Sequence, residues 1–296
     1  MKIESFKRAE TEIRSFFNED DNISYTRNDL ISIFENNREK WKIANYRNYR
    51  HFNSFIGEKN ILYKEELVHQ STSSIKTLWN KKNASNFEKG LTIKKGAYLS
   101  NFTAMKLHQI TLQIPKTIYI SYDLASHQNN NDRQRLEQAN VDNAFSKPQR
   151  TSSNIYVSKR DGYRYTLLQK KFQSDSIGII TLNKIRFTNI ERTLIDIAIR
   201  PVYSGGVFEV LRAFEKCIND INSPDSLEII ASYLDQLDYA YPYHQLIGFY
   251  LDKAGYQGQG LDFFLKKKTN INFYLTYNMS RPILDQKWGI YYPMGF

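Results

Sequence analysis

The first 95 residues change from helical to strand-like spacing of their apolar side chains, and this change restricts the folds open to the chain. Apolar residues recur every three to four positions from residue 3 to 17, which predicts a one-sided helix. Thr26 is a favourable N-cap with Asp29 three residues later, so a second helix should begin there and run to about Lys40. The chain therefore opens with two amphipathic helices.

A third helix and a hairpin complete this pattern. The helix is predicted for residues 45–59, where four apolar side chains share one face at helical periodicity. These side chains are Tyr49, Phe52, Phe55 and Ile56. Two runs rich in branched and aromatic residues, at 61–68 and 74–79, are separated by HQSTS and predict a β-hairpin. Three helices followed by a hairpin are the plan of a winged helix-turn-helix domain, which we expect to span residues 1–95.

The polar face of the third helix is the candidate DNA-reading surface. A major groove admits one helix, where Arg pairs with guanine and Asn with adenine. The side chains expected to face the groove are Arg47, Arg50, His51, Asn53 and Ser54. Lysines on or beside the hairpin are expected to contact phosphates, and these are Lys64, Lys76, Lys81 and Lys82. Any solvated helix face carries similar residues, so the pattern alone does not distinguish a DNA-reading surface from an ordinary solvent-exposed helix face.

The charge balance favours an anionic partner. The chain has 41 Lys and Arg against 31 Asp and Glu, a net charge of +10, which makes nucleic acid the first candidate. Residues 1–95 and 96–296 each carry +5, so the shorter first part is about twice as basic per residue. The abundance of Asn, Lys, Ile and Tyr is also what an AT-rich genome would produce. Charge alone therefore does not establish nucleic-acid binding.

The rest of the chain is predicted to contain strands first and helices afterwards. The strands are expected at 117–121, 163–169 and 176–188. Residues 124–154 are polar and predict a surface excursion with one short helix around 133–143. Thr188 and Glu191 form a T-x-x-E sequence that predicts a capping box for a helix ending at Pro201. This order indicates an α+β fold, with a larger second domain at residues 96–296.

Several classes of site and location find no support in the sequence. The lone cysteine, Cys217, cannot form an internal disulfide, and the charged start of the chain lacks the apolar run of a secretory signal. No apolar stretch approaches the roughly 20 residues of a membrane span. We therefore expect a cytoplasmic protein without membrane contact. Five scattered histidines, including His108 and His244, give no zinc-ligand spacing, so we predict packing roles for these two and neither a metal nor a cofactor.

Six segments, in order along nearly the whole chain, resemble the AbiEi antitoxin family. They are ISIFENNREKWKI (31–43), YLSNFTAMKLHQITLQIPKTIYIS (98–121), AFSKPQRTSSNIY (144–156), NIERTLIDIAIRPVYSGGVFEVLRAF (189–214), YPYHQLIGFYLDKAGY (241–256) and FYLTYNMSRPILDQKWGIYYPMGF (273–296). Several exceed a dozen residues, which makes the resemblance more specific than a short motif. The chain departs most from the family at residues 44–97, so operator specificity does not carry over.

The resemblance implies a function as well as a fold. Members of the family are antitoxins of bacterial type IV toxin-antitoxin systems, which act in phage defence by abortive infection. It implies a winged helix that binds operator repeats and represses its own operon, with a possible dimer on DNA. It also implies a C-terminal domain that counters a nucleotidyltransferase-like toxin without needing a stable complex, and no catalysis. Candidate residues for this second role, on the helices of 189–214 and 241–256, are Arg192, Arg200, Tyr241 and Tyr243.

Two alternatives to this interpretation come from the residues themselves. The first is a module that docks the toxin directly, using the tyrosine-rich surface of 233–250 as interface anchors. The second is a metal-dependent nuclease, because Asp285 and Lys287 form a D-x-K pair and Asp262 could supply another carboxylate. D-x-K arises by chance in many lysine-rich chains, and here it lies within a segment covered by the family resemblance.

Overall fold

A computed structural model describes residues 4–123, 136–170, 176–218, 224–258 and 260–296. Its helices are α1 (Glu4–Arg8), α2 (Glu10–Glu19), α3 (Arg27–Asn37), α4 (Tyr49–Glu58), α5 (Asn86–Ile93), α6 (Asn101–Leu107), α7 (Gln138–Phe145), α8 (Ile190–Ile199), α9 (Val207–Cys217), α10 (Pro224–Leu237), α11 (Tyr243–Lys253) and α12 (Leu261–Leu265). Its strands are β1 (Ser24–Thr26), β2 (Tyr63–His69), β3 (Ile75–Asn80), β4 (Tyr98–Leu99), β5 (Thr117–Asp123), β6 (Ile155–Ser158), β7 (Arg164–Lys170), β8 (Ile179–Leu182), β9 (Ile185–Thr188), β10 (Phe273–Tyr274), β11 (Ile283–Asp285) and β12 (Ile290–Tyr292). The fold is mixed α+β, as predicted.

The chain divides into two compact units, each built from two stretches of sequence. The first unit comprises residues 1–97 and 153–166, and the second comprises 98–152 and 167–296. The first break lies two residues beyond the predicted 95/96 boundary. Residues 153–166, which the sequence analysis assigned to the second domain, instead belong to the first unit, because β6 pairs with β2.

Aromatic rings form the helical core of the first unit. The side chain of Phe52 on α4 is fully buried, with its ring centroid 5.1 Å from that of Phe34 on α3 and 5.7 Å from that of Trp41. The helix predicted from residue 3 to 17 is interrupted at Ala9, which separates α1 from α2. The predicted capping box of Thr26 and Asp29 is confirmed at the start of α3. Apolar periodicity thus identified the buried faces correctly.

The strands of the first unit form a continuous antiparallel ladder. β1 pairs with β3, β3 with β2, β2 with β6, and β6 with the first residues of β7. The hairpin of β2 and β3 lies within two residues of the two predicted runs and turns at residues 70–74. Residues about 90 positions apart in the sequence are therefore neighbours in the ladder, as when Leu67 pairs with Ser158.

A buried carboxylate ties these strands to α5. Glu65, on β2, is 2% exposed, and its Oε2 lies 2.8 Å from Lys89 Nζ. Asn80 on β3 donates to Oε2 at 3.1 Å, and Ser158 on β6 donates to Oε1 at 2.9 Å. Ser24 on β1 then donates to the Asn80 amide oxygen at 2.7 Å. Four strands and one helix therefore meet at a single ion-paired network, which we call the Glu65 network.

The second unit contains a strand group and a helical core. β4 pairs antiparallel with β5 and parallel with β9, and β9 forms a hairpin with β8. The run predicted as one strand at 176–188 is therefore two strands, reversing at Asn183 and Lys184, which both have positive φ. β10, β11 and β12 make a separate three-stranded sheet.

Helices α8, α9, α10 and α11 together carry most of the buried side chains in the helical core of the second unit. The indole of Trp288 is fully buried and approaches Gly248 so closely that an added Cβ would lie 2.1 Å from the ring. Only glycine fits there. No helix in the described part of the chain has the length and apolarity needed to cross a membrane.

The capping box predicted at Thr188 is wrong. Asn189 is the N-cap of α8, and its side chain accepts from the backbone N–H of Arg192. The Thr188 hydroxyl instead lies 2.7 Å from the hydroxyl of Thr193. The helix starts one residue later than the pattern suggested because two adjacent residues, Thr188 and Asn189, are both capable of capping.

We predict that Lys89→Ala lowers the free energy of unfolding by about 3 to 5 kcal/mol, because it leaves the Glu65 carboxylate buried without its counter-charge. Urea unfolding followed by circular dichroism measures the change. Lys82→Ala, which removes an exposed lysine from the same unit, is the matched control and should change stability by less than about 0.5 kcal/mol. A loss below about 1 kcal/mol for Lys89→Ala would contradict the role given to this ion pair.

Candidate nucleic-acid interface

The N-terminus of α4 is fixed by a reciprocal pair of hydrogen bonds. The side-chain oxygen of Asn48 accepts from the backbone N–H of His51, and His51 Nδ1 accepts from the backbone N–H of Asn48. This capping box begins the helix at Tyr49, four residues later than predicted. Arg50, His51 and Ser54 are exposed on its solvent side. Three of the five predicted base-reading residues thus lie on an open helix face.

Arg27, which the sequence analysis did not single out, lies beside this face. It is exposed at the first position of α3, and its guanidinium carbon is 5.8 Å from the centroid of the Tyr49 ring. A cation is disfavoured at a helix N-terminus, where the helix dipole is positive. A basic residue directly after the N-cap Thr26 is therefore the sequence feature that could have identified Arg27 as a candidate binding residue. Arg27, Arg50 and His51 together form what we call the α3–α4 basic patch.

The prediction that Arg47 faces the groove is wrong. The residue precedes α4 and is 6% exposed, with its guanidinium carbon 5.1 Å from the Tyr46 ring centroid and 5.9 Å from that of Phe6. Its Nε and Nη2 have no hydrogen-bond partner. The prediction placed Arg47 on the polar face of a helix starting at residue 45. Because α4 begins only at Tyr49, helical spacing does not set the direction of Arg47, which packs into the aromatic core of the first unit instead.

Asn53 occupies an intermediate position on α4. Its side chain is half-buried, and its amide oxygen accepts from the hydroxyl of Tyr49 at 3.2 Å. Since Tyr49 also contacts Arg27, these three side chains form a chain of contacts from α4 to the start of α3. Asn53 therefore holds the Tyr49 ring that Arg27 contacts, rather than facing solvent as a base-reading residue would.

Lys64 is exposed but bound to an acidic neighbour. Its Nζ lies 2.7 Å from Glu66 Oε1, while Lys159 Nζ lies 2.8 Å from Glu66 Oε2. Hydrogen bonds from Lys159 and Lys64 lower the pKa of the Glu66 carboxyl to about 2. This group of three side chains carries a net charge of +1 rather than +2, which weakens Lys64 as a phosphate contact.

The other three predicted lysines differ in how far they reach solvent. Lys76 Nζ donates to the carbonyl of Ile93 at 3.2 Å, and burial lowers the pKa of its ammonium. Lys81 Nζ donates to the carbonyl of Asp20 at 2.6 Å. Lys82 is exposed. Two of the three thus satisfy backbone carbonyls of the first unit, and Lys82 is the most open of the hairpin lysines.

The residues predicted for the antitoxin role are mostly internal. Arg192 is fully buried, with its Nε 3.3 Å from Asp196 Oδ1 and its Nη1 donating to the carbonyl of Ile177 at 3.0 Å. Arg200 follows α8 and is half-buried. Arg192 therefore has no face open to a partner.

Tyr241 and Tyr243 are half-buried against other rings. The Tyr241 centroid lies 5.8 Å from that of Phe145, and the Tyr243 centroid lies 5.0 Å from that of Tyr239. Burial raises the pKa of the Tyr243 hydroxyl. These rings cover part of the apolar core of the second unit and also form part of its surface.

The residues of the nuclease alternative are engaged with separate partners. Asp285 accepts from the backbone N–H of Trp288 and lies 3.2 Å from Lys253 Nζ. Lys287 Nζ donates to Asp252 at 3.0 Å. Asp262 is exposed on α12. Across the described residues, no group of three or more His, Cys, Asp or Glu side chains is arranged to hold a metal ion.

His108 and Cys217 both lie in packed surroundings in the second unit. His108 Nε2 donates to the carbonyl of Thr188 at 2.7 Å, and the ring centroid lies 5.3 Å from that of Phe187. Cys217 is buried at the end of α9. The packing role predicted for His108 is confirmed.

No family model and no curated protein sequence matches this chain. Among solved structures, it is similar to the crystal structure of the RV2827C protein from Mycobacterium tuberculosis. The two share 13% sequence identity and a TM-score of 0.55, over 97% of this chain and 90% of that one. This similarity concerns the fold across nearly both whole chains.

We predict that Arg47→Met leaves the midpoint of thermal unfolding nearly unchanged. The substitution loses two ring contacts of about 0.5 to 1 kcal/mol each, but it also removes a buried cation with two unpaired donors. Operator affinity, measured by fluorescence anisotropy, should change less than about twofold. A tenfold loss of affinity in a folded variant would contradict the packing role and restore Arg47 to the interface.

Proposed function

We propose that this protein is a DNA-binding autorepressor and antitoxin of a bacterial type IV toxin-antitoxin system, whose first unit is a winged helix-turn-helix module. The observation that carries the DNA-binding part is the α3–α4 basic patch. Arg27, Arg50 and His51 lie exposed in the first turns of α3 and α4, Arg27 contacts Tyr49 at the start of α4, and none of the three forms a salt bridge within the described residues. The resemblance to the AbiEi family supports the antitoxin part.

The arrangement of the first unit suits a major groove. Arg50 and Ser54 are one turn apart on the open face of α4, which is where base edges would lie. Arg27 and His51 flank that row and suit phosphates, as do the backbone N–H groups at the start of α4. The hairpin of β2 and β3 would serve as the wing, with Lys82 beside it as a further phosphate contact.

The second unit would counter the nucleotidyltransferase-like toxin, and two protomers would bind the operator repeats. Because Arg192 is buried and paired, we assign it to the stability of this unit rather than to a partner surface. The half-buried tyrosines of 233–250 remain the candidate surface for a direct docking mode.

We predict that Arg50→Ala weakens binding to the operator by about 1 to 3 kcal/mol and leaves binding to random DNA nearly unchanged, since a base contact is sequence-specific. Arg27→Ala should weaken both and reduce the slope of log K against log salt by about one, as expected for a phosphate contact. Gel-shift or anisotropy titrations on the upstream DNA, with salt varied, measure both effects.

The matched control for these variants is Arg160→Ala. Arg160 is also exposed in the first unit, but it follows β6 at the end of the ladder remote from the hairpin turn. It should leave operator affinity unchanged. Equal losses for Arg50→Ala and Arg160→Ala would show that binding follows overall charge and not the α3–α4 basic patch.

We predict that repression and toxin neutralisation can be separated by substitution. An Arg27→Ala, Arg50→Ala double variant, expressed from an unrelated promoter, should still protect cells from the neighbouring toxin gene while failing to repress its own promoter. Colony survival and a promoter-fusion assay measure the two effects. Loss of protection by this folded variant at equal protein level would contradict the division of roles between the two units.

A further inference from the structure

Strand β8 forms an open edge of the second unit. It pairs with β9 in a regular antiparallel register, and no strand in the described part of the chain pairs with its other side. Its four residues, Ile-Ile-Thr-Leu, are all uncharged. Edge strands are usually protected from further pairing by a charged side chain, a proline or a bulge. β8 has none of these, so its edge is suited to accept another strand.

The pairing with β9 determines which backbone groups of β8 face outwards. The backbone N–H of Asn189 donates to the Gly178 carbonyl at 2.8 Å, just before the strand begins. Antiparallel pairs alternate between hydrogen-bonded and non-hydrogen-bonded positions, so the next residue whose backbone bonds to β9 is Ile180. Ile179 and Thr181 therefore direct their backbone groups away from β9.

These outward groups form a self-complementary pattern centred on Thr181. Thr181 offers both its N–H and its C=O, while Ile179 offers its C=O, because its N–H donates to the Ser176 carbonyl at 2.9 Å. Asn183 begins the two-residue turn and offers its N–H, since the Leu182 carbonyl of the same peptide unit points towards β9. A two-fold axis at Thr181 would place every one of these donors opposite an acceptor of a second copy.

The same register brings apolar side chains together. It sets Ile180 of one copy opposite Leu182 of the other, at non-hydrogen-bonded positions, where side chains across two strands are closest. The two side chains are 39% and 59% exposed in the single chain, so pairing would remove apolar surface from water. The two copies of Thr181 face each other at the axis, and Thr–Thr pairs stabilise antiparallel strands.

The charges beside β8 do not oppose this arrangement. Lys184, in the turn, lies three residues from the axis, so its two copies would be about 20 Å apart. Arg186 pairs with Thr181 from β9, and its two copies would be separated by three strand spacings, or about 14 Å. Both distances exceed the screening length of about 8 Å at physiological salt. The edge therefore fits a second copy of itself without close like charges.

We propose that the protein self-associates through β8, with two copies pairing antiparallel about Thr181 to join two second units. Stable interfaces bury about 1,200 to 2,000 Å², which exceeds what a pair of four-residue strands covers, so the dimer is weak and reversible. The contact involves the second unit alone and does not rest on DNA binding. It would link the two protomers that the proposed function places on the operator repeats.

Thr181→Cys tests the register directly. Thr181 is exposed and the single native cysteine, Cys217, is buried, so the new thiol would be the accessible one. The Cα atoms of the paired residues would lie about 5.5 Å apart, a separation that a disulfide spans. Mild oxidation of the full-length variant should therefore give a covalent dimer on a non-reducing gel.

The matched control for cross-linking is Lys184→Cys, at another exposed position. Its two copies, about 20 Å apart in the proposed dimer, are too distant for a disulfide. Equal cross-linking of the two variants would overturn the proposed register.

Sedimentation equilibrium without DNA measures the dimer itself. We expect the native protein to dimerise with a dissociation constant below about 1 mM. Thr181→Pro should raise this constant about tenfold or more, because it removes the central outward N–H of each copy and leaves the hydrogen bonds to β9 intact. Thr181→Val keeps the backbone donor and the branched shape, so it should change the constant less than about threefold.

Two results would overturn self-association through β8. They are a native protein that stays monomeric up to about 1 mM, and a Thr181→Pro variant, folded by circular dichroism, that dimerises as the native protein does. Titration with DNA carrying one operator repeat separates this inference from the proposed function. Thr181→Pro should bind a single repeat as the native protein does, while Arg50→Ala should dimerise normally.

Discussion

The first unit depends on a carboxylate that has been removed from water. Glu65 is buried at the junction of four strands and α5, and Lys89, Asn80 and Ser158 supply its partners. A buried carboxylate is tolerated only where its counter-charge and its hydrogen bonds are in register, so the pairing of β2 with β3 and β6 is selected along with the ion pair. The hairpin is part of this ladder, α3 packs against β1 and β3, and α4 packs against α3. The positions of these elements therefore depend on the Glu65 network.

The net charge of +10 is distributed in a way that total composition does not reveal. Many cations are committed internally, as Lys81 is to a backbone carbonyl, Lys64 to Glu66 and Arg192 to Asp196. The α3–α4 basic patch on the first unit differs from these, because its side chains are exposed. An anionic partner would meet exposed charge of this kind, and the DNA-binding proposal begins from it.

Sequence patterns predicted local structure well and contacts between distant residues poorly. The apolar faces of α3 and α4 and the capping box at Thr26 follow from spacing and side-chain chemistry within a few residues. Arg47 was misplaced because the start of α4 depends on the Asn48–His51 box, which the spacing of apolar residues does not encode. The membership of 153–166 in the first unit was missed because strand pairing over nearly 90 residues leaves no local pattern.

The discontinuity of the first unit has a consequence during synthesis. Its last strands are β6 and the start of β7. The unit is therefore complete only once residue 166 has been synthesised, long after α4. Until then β2 has an unpaired edge and Glu65 lacks the Ser158 hydroxyl. At about 5 to 20 residues per second, roughly 4 to 16 seconds separate the completion of β3 from that of β6. A nascent chain therefore passes through an interval in which the helices of the first unit have been synthesised but the strands that complete its ladder have not, and this interval ends only after more than half of the polypeptide has been made.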